Sequence, residues 1–177
     1  ALPIRRRLVY AGPQMTGAAA SQDLSRIDLS AESLAVRIVE APFLNARAIA
    51  ATDAQIEDWF AQIGAEPEAR GLRQVFAAAP KARELIAGLC EYSPYLWDLV
   101  RADPDRILRL LCGDPESQFQ SLLAYNIGAL TRIEGEADAM RSLRRIKNET
   151  ALLIGLADIG GVWPVMQVTR AVTELAD

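Results

Sequence analysis

The amino-acid sequence predicts an all-α protein: a multi-helix domain of orthogonal or bundle-like packing that follows a loosely structured N-terminal arm. Apolar residues recur at helical spacing over most of residues 30–177. Three prolines follow good N-cap residues, at the first helical position, where the missing N–H has no intrahelical partner to lose. The best candidate strand, residues 34–39, alternates only briefly, and its flanks favour helix. These observations predict helices and no sheet.

The boundary between arm and domain is predicted near residue 29. Residues 1–29 contain Gly12, Pro13 and Gly17 and few apolar residues, which favours a flexible arm over a packed element. Residues 30–177 are numerous enough to bury a core without disulfides or metal ions. They are predicted to form one helical domain.

The first two helices are predicted from their caps and breakers. Asp28 or Ser30 caps the first helix, and Pro42 stops it. Thr52, with a glutamine three residues later, forms a capping box for the second helix, which ends at Gly64. The predicted apolar faces are Leu34, Ile38 and Val39, and then Ile56, Trp59, Phe60 and Ile63.

Five helices in succession are predicted to begin at a proline. Pro67 and Pro80 begin two of them, and the pairs Ser93–Pro94, Asp103–Pro104 and Asp114–Pro115 begin three more. The first two pairs begin short helices, and the third begins a longer one. The predicted inward residues are Leu72, Val75, Phe76, Leu85, Ile86, Leu89, Leu96, Leu99, Val100, Ile107, Leu108, Leu111, Phe119, Leu122, Leu123, Ile127 and Leu130.

Two longer elements complete the predicted domain. Gly135 precedes a long helix over residues 136–158, which ends at Gly160 and Gly161. Pro164 begins the last helix. The predicted inward residues are Met140, Leu143, Ile146, Leu153 and Ala157 on the long helix, and Val165, Val168, Val172 and Leu175 on the last one.

Composition excludes several classes of activity. The sequence has no histidine, which excludes Ser-His-Asp and Cys-His catalysis and zinc bound by histidine. The net charge of −4 disfavours DNA binding, and no apolar run approaches the ~20 residues of a membrane span. No apolar stretch follows Arg5–Arg7 as a secretory signal requires. Cys90 and Cys112 fit neither a disulfide framework nor a zinc site, so they are predicted to be buried thiols in a reducing cytosol.

Two short motifs resemble catalytic sequences, but a structural role is favoured for each. Asp103 and Asp105 have the spacing of paired metal-binding aspartates. A proline separates them and a helix follows, so Asp103 is predicted to be an N-cap and Asp105 a first-turn acid. The glycines of residues 155–161 have the spacing of a phosphate loop without its lysine and hydroxyl residue. This segment is predicted to be a helix C-terminus.

A basic cluster on the long predicted helix is the candidate site of the sequence. Its members are Arg141, Arg144, Arg145 and Lys147. Neighbouring acids favour a solvated face in which Asp138 pairs with Arg141, and Glu149 pairs with Arg145. The alternative is a surface that faces a protein partner or a phosphate group.

A series of short motifs runs in a fixed order through residues 90–177. They are Ser93-Pro94-Tyr95-Leu96, Asp98-Leu99-Val100-Arg101, Pro104 with Leu108, Leu143-Arg144-Arg145-Ile146-Lys147, Leu156-Ala157-Asp158, Val168-Thr169 and Leu175-Ala176. This order resembles that of the bifunctional glutamine synthetase adenylyltransferase/adenylyl-removing enzymes.

The resemblance implies a long chain in which each half has a helical lead-in, a nucleotidyltransferase domain and a helical tail. The amino-terminal half removes AMP from a tyrosine of glutamine synthetase by phosphorolysis, and the carboxy-terminal half attaches AMP from ATP. The PII signal protein and glutamine set the balance between the two reactions. The chain resembles the lead-in of the amino-terminal half, since nothing in residues 1–89 resembles the end of a preceding enzyme domain.

The catalytic signature of the family is a Gly-Ser turn followed by paired aspartates on a strand, and this sequence contains no such segment. The resemblance therefore supplies no catalytic, cofactor-binding or metal-binding residue. We expect a fragment that is inactive alone, from a cytoplasmic parent enzyme that uses ATP, ADP and Mg²⁺. Its expected partners are glutamine synthetase, the PII signal protein and the remaining domains of its polypeptide, with no nucleic acid and no membrane. The alternative is a non-enzymatic all-helical protein-interaction module, because packing and capping explain every feature of the sequence.

Overall fold

The structure, a computed structural model, describes Ile27, residues 29–130 and residues 136–176. All regular secondary structure in these ranges is helical, so the predicted all-α class is confirmed. The helices are α1 (Leu34–Arg37), α2 (Ala46–Ile63), α3 (Pro67–Ala78), α4 (Pro80–Tyr92), α5 (Pro94–Ala102), α6 (Pro104–Cys112), α7 (Pro115–Leu130), α8 (Glu136–Ile159) and α9 (Val165–Ala176).

The predicted arm, residues 1–29, lies outside the described residues except for two positions. Ile27 donates its backbone N–H to the side-chain oxygen of Gln74, at 2.9 Å. Both Ile27 and Leu29 pack against the core. The chain therefore contacts the core before its first helix begins.

One hydrophobic core joins the helices around α4 to the helices around α8. Helix α4 packs against α1, α2, α3 and α5, and helix α8 packs against α5, α7 and α9. The largest fully buried side chains are Leu34, Ile56, Leu72, Leu85, Ile86, Leu89, Ile107, Leu110, Leu111, Leu152, Leu153 and Leu156. Each contributes about 1.5–3 kcal/mol by leaving water, so this shared core fixes the C-terminal helices against the N-terminal ones.

The cap-and-proline starts of α5, α6 and α7 are confirmed. Ser93, Asp103 and Asp114 each accept a hydrogen bond from the backbone N–H three residues later, at 3.5, 3.0 and 2.8 Å. Each bond satisfies one of the backbone donors that a helix N-terminus leaves without an intrahelical partner. The sequence pattern therefore located these three helices through their caps.

Helix α2 begins well before the predicted start. Asn45 is its N-cap and accepts a hydrogen bond from the backbone N–H of Ala48 at 2.9 Å. Thr52, which was predicted to be the cap, is buried inside the helix, and its hydroxyl donates to the carbonyl of Ala48 at 2.9 Å. The capping-box prediction was wrong because the alanine-rich residues 46–51 favour helix and extend it towards the N-terminus.

Helix α1 is only four residues long, so the predicted helix that carries Val39 and runs to Pro42 is wrong. The backbone leaves the helical region at Ile38. The N–H groups of Val39 and Glu40 then donate to the carbonyl of Gly160, at 3.0 and 3.1 Å. These tertiary bonds replace the intrahelical bonds that a longer α1 would have made.

Helix α8 ends at the predicted glycine pair. Gly161 has φ +66°, the left-handed region that favours glycine at a helix C-terminus. A Cβ at Gly160 would lie 3.0 Å from the Ile38 side chain. Because glycine has no side chain, the end of α8 can approach the residues that follow α1 this closely. The prediction that residues 155–161 form a helix C-terminus is confirmed.

The inward stripes predicted for the last two helices are partly wrong. On α9, Val165 is 74% exposed and Val172 is 51% exposed, whereas Ala171 is buried. On α8, Met140 is 47% exposed, whereas the predicted Leu153 is buried. Helix α9 carries apolar residues around most of its circumference, so spacing alone did not identify the buried side.

Candidate interaction site

The basic cluster on α8 is the site predicted from the sequence. In the structure Arg141, Arg144 and Lys147 are exposed, and Arg145 is half-buried. At about 100° per residue, the four positions lie within about 160° of the helix circumference. Arg141 forms the predicted ion pair with Asp138. The cluster is therefore a basic face of α8 that solvent or a partner can reach.

Glu149, the predicted partner of Arg145, is buried and contacts a residue of another helix. The Nη1 atom of Arg109 on α6 lies 3.0 Å from the carboxylate of Glu149. Arg109 also binds Asp105 at 3.0 Å. Burial lowers the pKa of Arg109, and the two carboxylates raise it by more, so the net pKa is raised. Arg109 lies 40 residues from Glu149, so local spacing gave no sign of this link between α6 and α8.

The two motifs that resembled catalytic sequences have the predicted structural roles. Asp103 caps α6 through the N–H of Arg106. Asp105 forms an i, i+4 ion pair with Arg109. Each aspartate thus binds groups of the same helix, and the capping prediction is confirmed.

The cysteines are free, as predicted, but Cys90 and Cys112 are half-buried and not fully buried. Burial raises the pKa of both thiols, which keeps them in the thiol form at neutral pH. Among the described residues, no group of three or more Cys, Asp or Glu side chains is placed to hold a metal ion. In the same part of the chain, no helix is both long and apolar enough to cross a membrane.

Glu116, in the first turn of α7, is the centre of a polar network that the sequence analysis missed. Arg37 binds both of its carboxylate oxygens, the second at 2.9 Å. The indole N–H of Trp163 donates to Oε1 at 2.8 Å, and the side-chain amide of Gln167 donates at 3.3 Å. Arg37 also contacts Asp114 at 3.2 Å. The network joins the end of α1, the start of α7 and the start of α9.

The electrostatics of the network favour an ionised Glu116. The hydrogen bond from Arg37 is the largest cause, and it lowers the pKa of Glu116 to about 2 against the opposing effect of burial. The same hydrogen bond raises the pKa of Arg37. Both partners therefore keep their charges at neutral pH. The ionised Glu116 helps to hold the start of α9 in place through Trp163 and Gln167.

A groove of about 500 Å³ lies between α7 and α9, next to this network. Phe119 and Trp163 form part of its wall, with their rings edge to face at 5.8 Å. Met166, which is 78% exposed, lies at its rim. The charged lining residues are already paired: Glu116 binds Arg37, and Arg170 binds Glu174 at 2.6 Å. The groove is thus an apolar recess without an uncompensated charge.

A second, smaller groove of about 400 Å³ lies beside the segment between α1 and α2. Phe43 projects there and is 85% exposed. Its carbonyl accepts a hydrogen bond from the Tyr92 hydroxyl at 2.9 Å. The neighbouring Pro42 packs so closely on Gly88 that a Cβ there would lie 2.6 Å from the ring. The segment is therefore held in place while its aromatic side chain faces solvent.

The described part of the chain is a helical domain whose exposed features include a basic face and two grooves. The fold defines the class as an all-α helical domain. The family model for glutamate-ammonia ligase adenylyltransferase matches residues 83–177. The chain belongs to this family.

Curated relatives agree with the family match. The chain is 46% identical over 150 residues to the bifunctional glutamine synthetase adenylyltransferase/adenylyl-removing enzyme of Bradyrhizobium diazoefficiens. It is 47% identical over 144 residues to that of Bradyrhizobium sp. strain ORS 278, and 42% identical over 146 residues to that of Xanthobacter autotrophicus. These matches cover 84%, 81% and 82% of the chain. No solved structure matches the chain.

The matches also correct the extent of the predicted resemblance. A match of 150 residues is longer than residues 90–177, so the similarity continues into the N-terminal half of the chain. In contrast, the chain spans only about 15% of the length of the relatives it matches. Most of each relative therefore lies outside the matched region.

Proposed function

We propose that this chain is a helical supporting region of an enzyme that attaches AMP to glutamine synthetase and removes it. The observation that carries the proposal is the family match over residues 83–177, together with relatives whose names state both activities. The catalytic aspartates of that enzyme lie in another part of the polypeptide, because the family's Gly-Ser turn and paired aspartates have no counterpart in this sequence.

The support is assigned to the adenylyl-removing, amino-terminal half of the parent enzyme. The fold suits a supporting role, because α8 packs against α5, α7 and α9 and fixes their exposed surfaces relative to one another. A rigid support keeps a neighbouring catalytic site in its productive geometry.

The parent enzyme is proposed to act in the cytoplasm with ATP, ADP and Mg²⁺, on glutamine synthetase and under the control of the PII signal protein. The basic face of α8, with Arg141, Arg144 and Lys147 exposed, is proposed to face an acidic protein surface. Exposed basic residues attract acidic partners over several ångströms and mainly accelerate their association.

A phosphorolysis assay tests whether the chain supports catalysis without catalysing the reaction itself. Adenylylated glutamine synthetase, inorganic phosphate and Mg²⁺ are mixed with the isolated chain or with the full-length Bradyrhizobium diazoefficiens relative, and ADP release is followed. We expect release with the relative and none with the chain. Sustained ADP release by the chain alone would overturn the proposal that its role is support.

The same assay separates the proposal from a non-enzymatic interaction module. In a chimaera, this chain replaces the matched 150 residues of the relative. The supporting role predicts that the chimaera retains ADP release and that deletion of the matched region lowers it at least about 10-fold. Full activity after deletion would favour the interaction module.

A further inference from the structure

One side of α9 is exposed and uncharged. We name the α9 outer face the five exposed residues Val165, Met166, Thr169, Val172 and Thr173. At about 100° per residue, they lie within about 120° of the helix circumference. An apolar stripe of this width is typical of a helix face that packs against another element.

The two threonines of the α9 outer face present methyl groups. The hydroxyl of Thr169 donates to the carbonyl of Val165 at 2.9 Å, and that of Thr173 donates to the carbonyl of Thr169 at 3.0 Å. Their hydrogen-bonding capacity as donors is thus used within the helix. The face therefore offers a partner mostly methyl and thioether groups.

The opposite side of α9 is already packed. Ala171 is buried, and Val168 and Leu175 are half-buried against the core. Helix α9 is thus apolar on two sides, and the only charged residues of the helix, Arg170 and Glu174, pair with each other at its edge. A helix that is apolar on most sides is usually buried on most sides.

The α9 outer face continues into the groove between α7 and α9 through Met166, which belongs to both. Glu116, in the groove, is neutralised by Arg37, and Arg170 and Glu174 neutralise each other. An uncharged surface of this kind complements an apolar segment and disfavours a phosphate or an acidic peptide, for which it offers no uncompensated cation.

The identity of the occupant follows from the size of the relatives. About 85% of each relative's length lies outside the match, since the chain corresponds to about 15% of it. A domain within such a polypeptide has a large neighbouring chain at high effective concentration. An apolar face on the domain is therefore covered in cis before a separate protein reaches it.

We propose that the α9 outer face and the adjoining groove form the docking site for an apolar, uncharged segment from the remaining polypeptide of the parent enzyme. Met166, which the face and the groove share, enters this contact at its centre, and Val165 and Val172 extend the contact along the α9 outer face. This inference rests on the proposed function only for the existence of the longer polypeptide, and it specifies the surface through which the support acts.

Thiol labelling tests the docking site. Cys90 and Cys112 are replaced by alanine, and Met166→Cys is introduced both in the isolated chain and in the chimaera with the Bradyrhizobium diazoefficiens relative. Because access limits the reaction of a thiol, labelling by a maleimide is expected to be at least about 10-fold slower in the chimaera than in the isolated chain. Phe43→Cys, on a different exposed apolar segment, is the matched control and is expected to react at equal rates in both proteins.

Three results would overturn the docking proposal. The first is equal labelling of Met166→Cys in the isolated chain and the chimaera. The second is protection in the isolated chain that grows with its concentration, which would indicate a second copy as the occupant. The third is protection that requires added glutamine synthetase, which would indicate a separate protein.

Two further measurements separate the docking proposal from the proposed function and from a failure of the chimaera to fold. ADP release is measured on the same chimaera, so loss of activity with protection retained refutes the supporting function and leaves the docking site intact. Hydroxyl-radical footprinting of the unmodified relative provides an independent readout if the chimaera does not fold. Side chains of its helix equivalent to α9 are expected to be protected, and equal oxidation in the relative and in its isolated matched region would overturn the proposal.

Discussion

Trp163 donates its indole N–H to the carboxylate of Glu116 at 2.8 Å, and this bond fixes the segment that leads into α9 to the first turn of α7. Arg37 binds the same carboxylate from the end of α1. Three segments that are distant in the sequence therefore meet at one side chain. The position of α9, and with it the α9 outer face, depends on this contact.

The first prediction concerns the charge of Glu116. Glu116→Gln keeps the shape of the side chain but removes the charge that Arg37 binds, so the free energy of unfolding is expected to fall by about 1 kcal/mol. Urea unfolding followed by tryptophan fluorescence measures the change. Glu57→Gln, which removes an exposed ion pair with Arg73, is the control and is expected to cost less than about 0.5 kcal/mol. Equal losses in both variants would contradict a special role for Glu116.

The second prediction concerns pH. The pKa of Glu116 is about 2 in the folded protein, below its ordinary value of 4.5, so the folded state binds fewer protons than the unfolded chain between these values. The stability that Glu116 contributes is therefore complete above the ordinary pKa and is lost as the pH falls towards the folded pKa. The difference in unfolding free energy between wild type and Glu116→Gln is expected to shrink over this window. A difference that stays constant down to about pH 2.5 would contradict the prediction.

The third prediction concerns the start of α2. Asn45→Ala removes the side-chain acceptor for the N–H of Ala48 and is expected to lower the free energy of unfolding by about 1 kcal/mol. Thr52→Val removes a hydroxyl that donates to carbonyls inside the helix, and it is expected to change this free energy by no more than about 0.5 kcal/mol. The reverse order of the two effects, measured by thermal or urea unfolding, would restore Thr52 as the cap.

The fourth prediction concerns the basic face of α8. Arg144→Glu combined with Lys147→Glu is expected to leave the free energy of unfolding within about 0.5 kcal/mol, because both residues are exposed. In the chimaera, the same double variant is expected to slow association with glutamine synthetase by about 10-fold at low salt, and less at high salt. Association rates measured by surface plasmon resonance check this effect.

The control for the basic face changes the same number of charges elsewhere. Arg47→Glu with Arg70→Glu alters two exposed arginines on α2 and α3. Because these residues lie outside the basic face, the association rate is expected to change by less than about twofold. Similar slowing in both double variants would show that net charge, and not this face, controls the encounter.

Local sequence signals predicted most of the fold. The prolines at the starts of α5, α6 and α7 and the glycines after α8 act within one helical turn, so the sequence contains all the information that their geometry requires. Thr52 shows the limit of such signals. Its capping-box pattern is valid locally, but the alanine-rich residues before it and the cap at Asn45 favour an earlier start.

The polar network around Glu116 was less predictable because its contacts are long-range. Arg37 and Glu116 are 79 residues apart, and Trp163 lies 47 residues from Glu116. Glu116 was indistinguishable from an ordinary first-turn acid, and nothing in the spacing paired it with Arg37. The buried side of α9 was not predicted for a different reason. Val165 and Ala171 are both apolar, so the sequence does not show which of them is buried. Only the packed structure shows which side remains open.

The supporting role of the chain is tested by comparing ADP release from adenylylated glutamine synthetase by three proteins: the isolated chain, the chimaera, and the relative without its matched region. We expect phosphorolysis by the chimaera, none by the isolated chain, and at least about a 10-fold loss when the matched region is deleted, because misplacement of a catalytic site by about 1 Å has effects of this size. Phosphorolysis by the isolated chain, or an undiminished rate after the deletion, would contradict it.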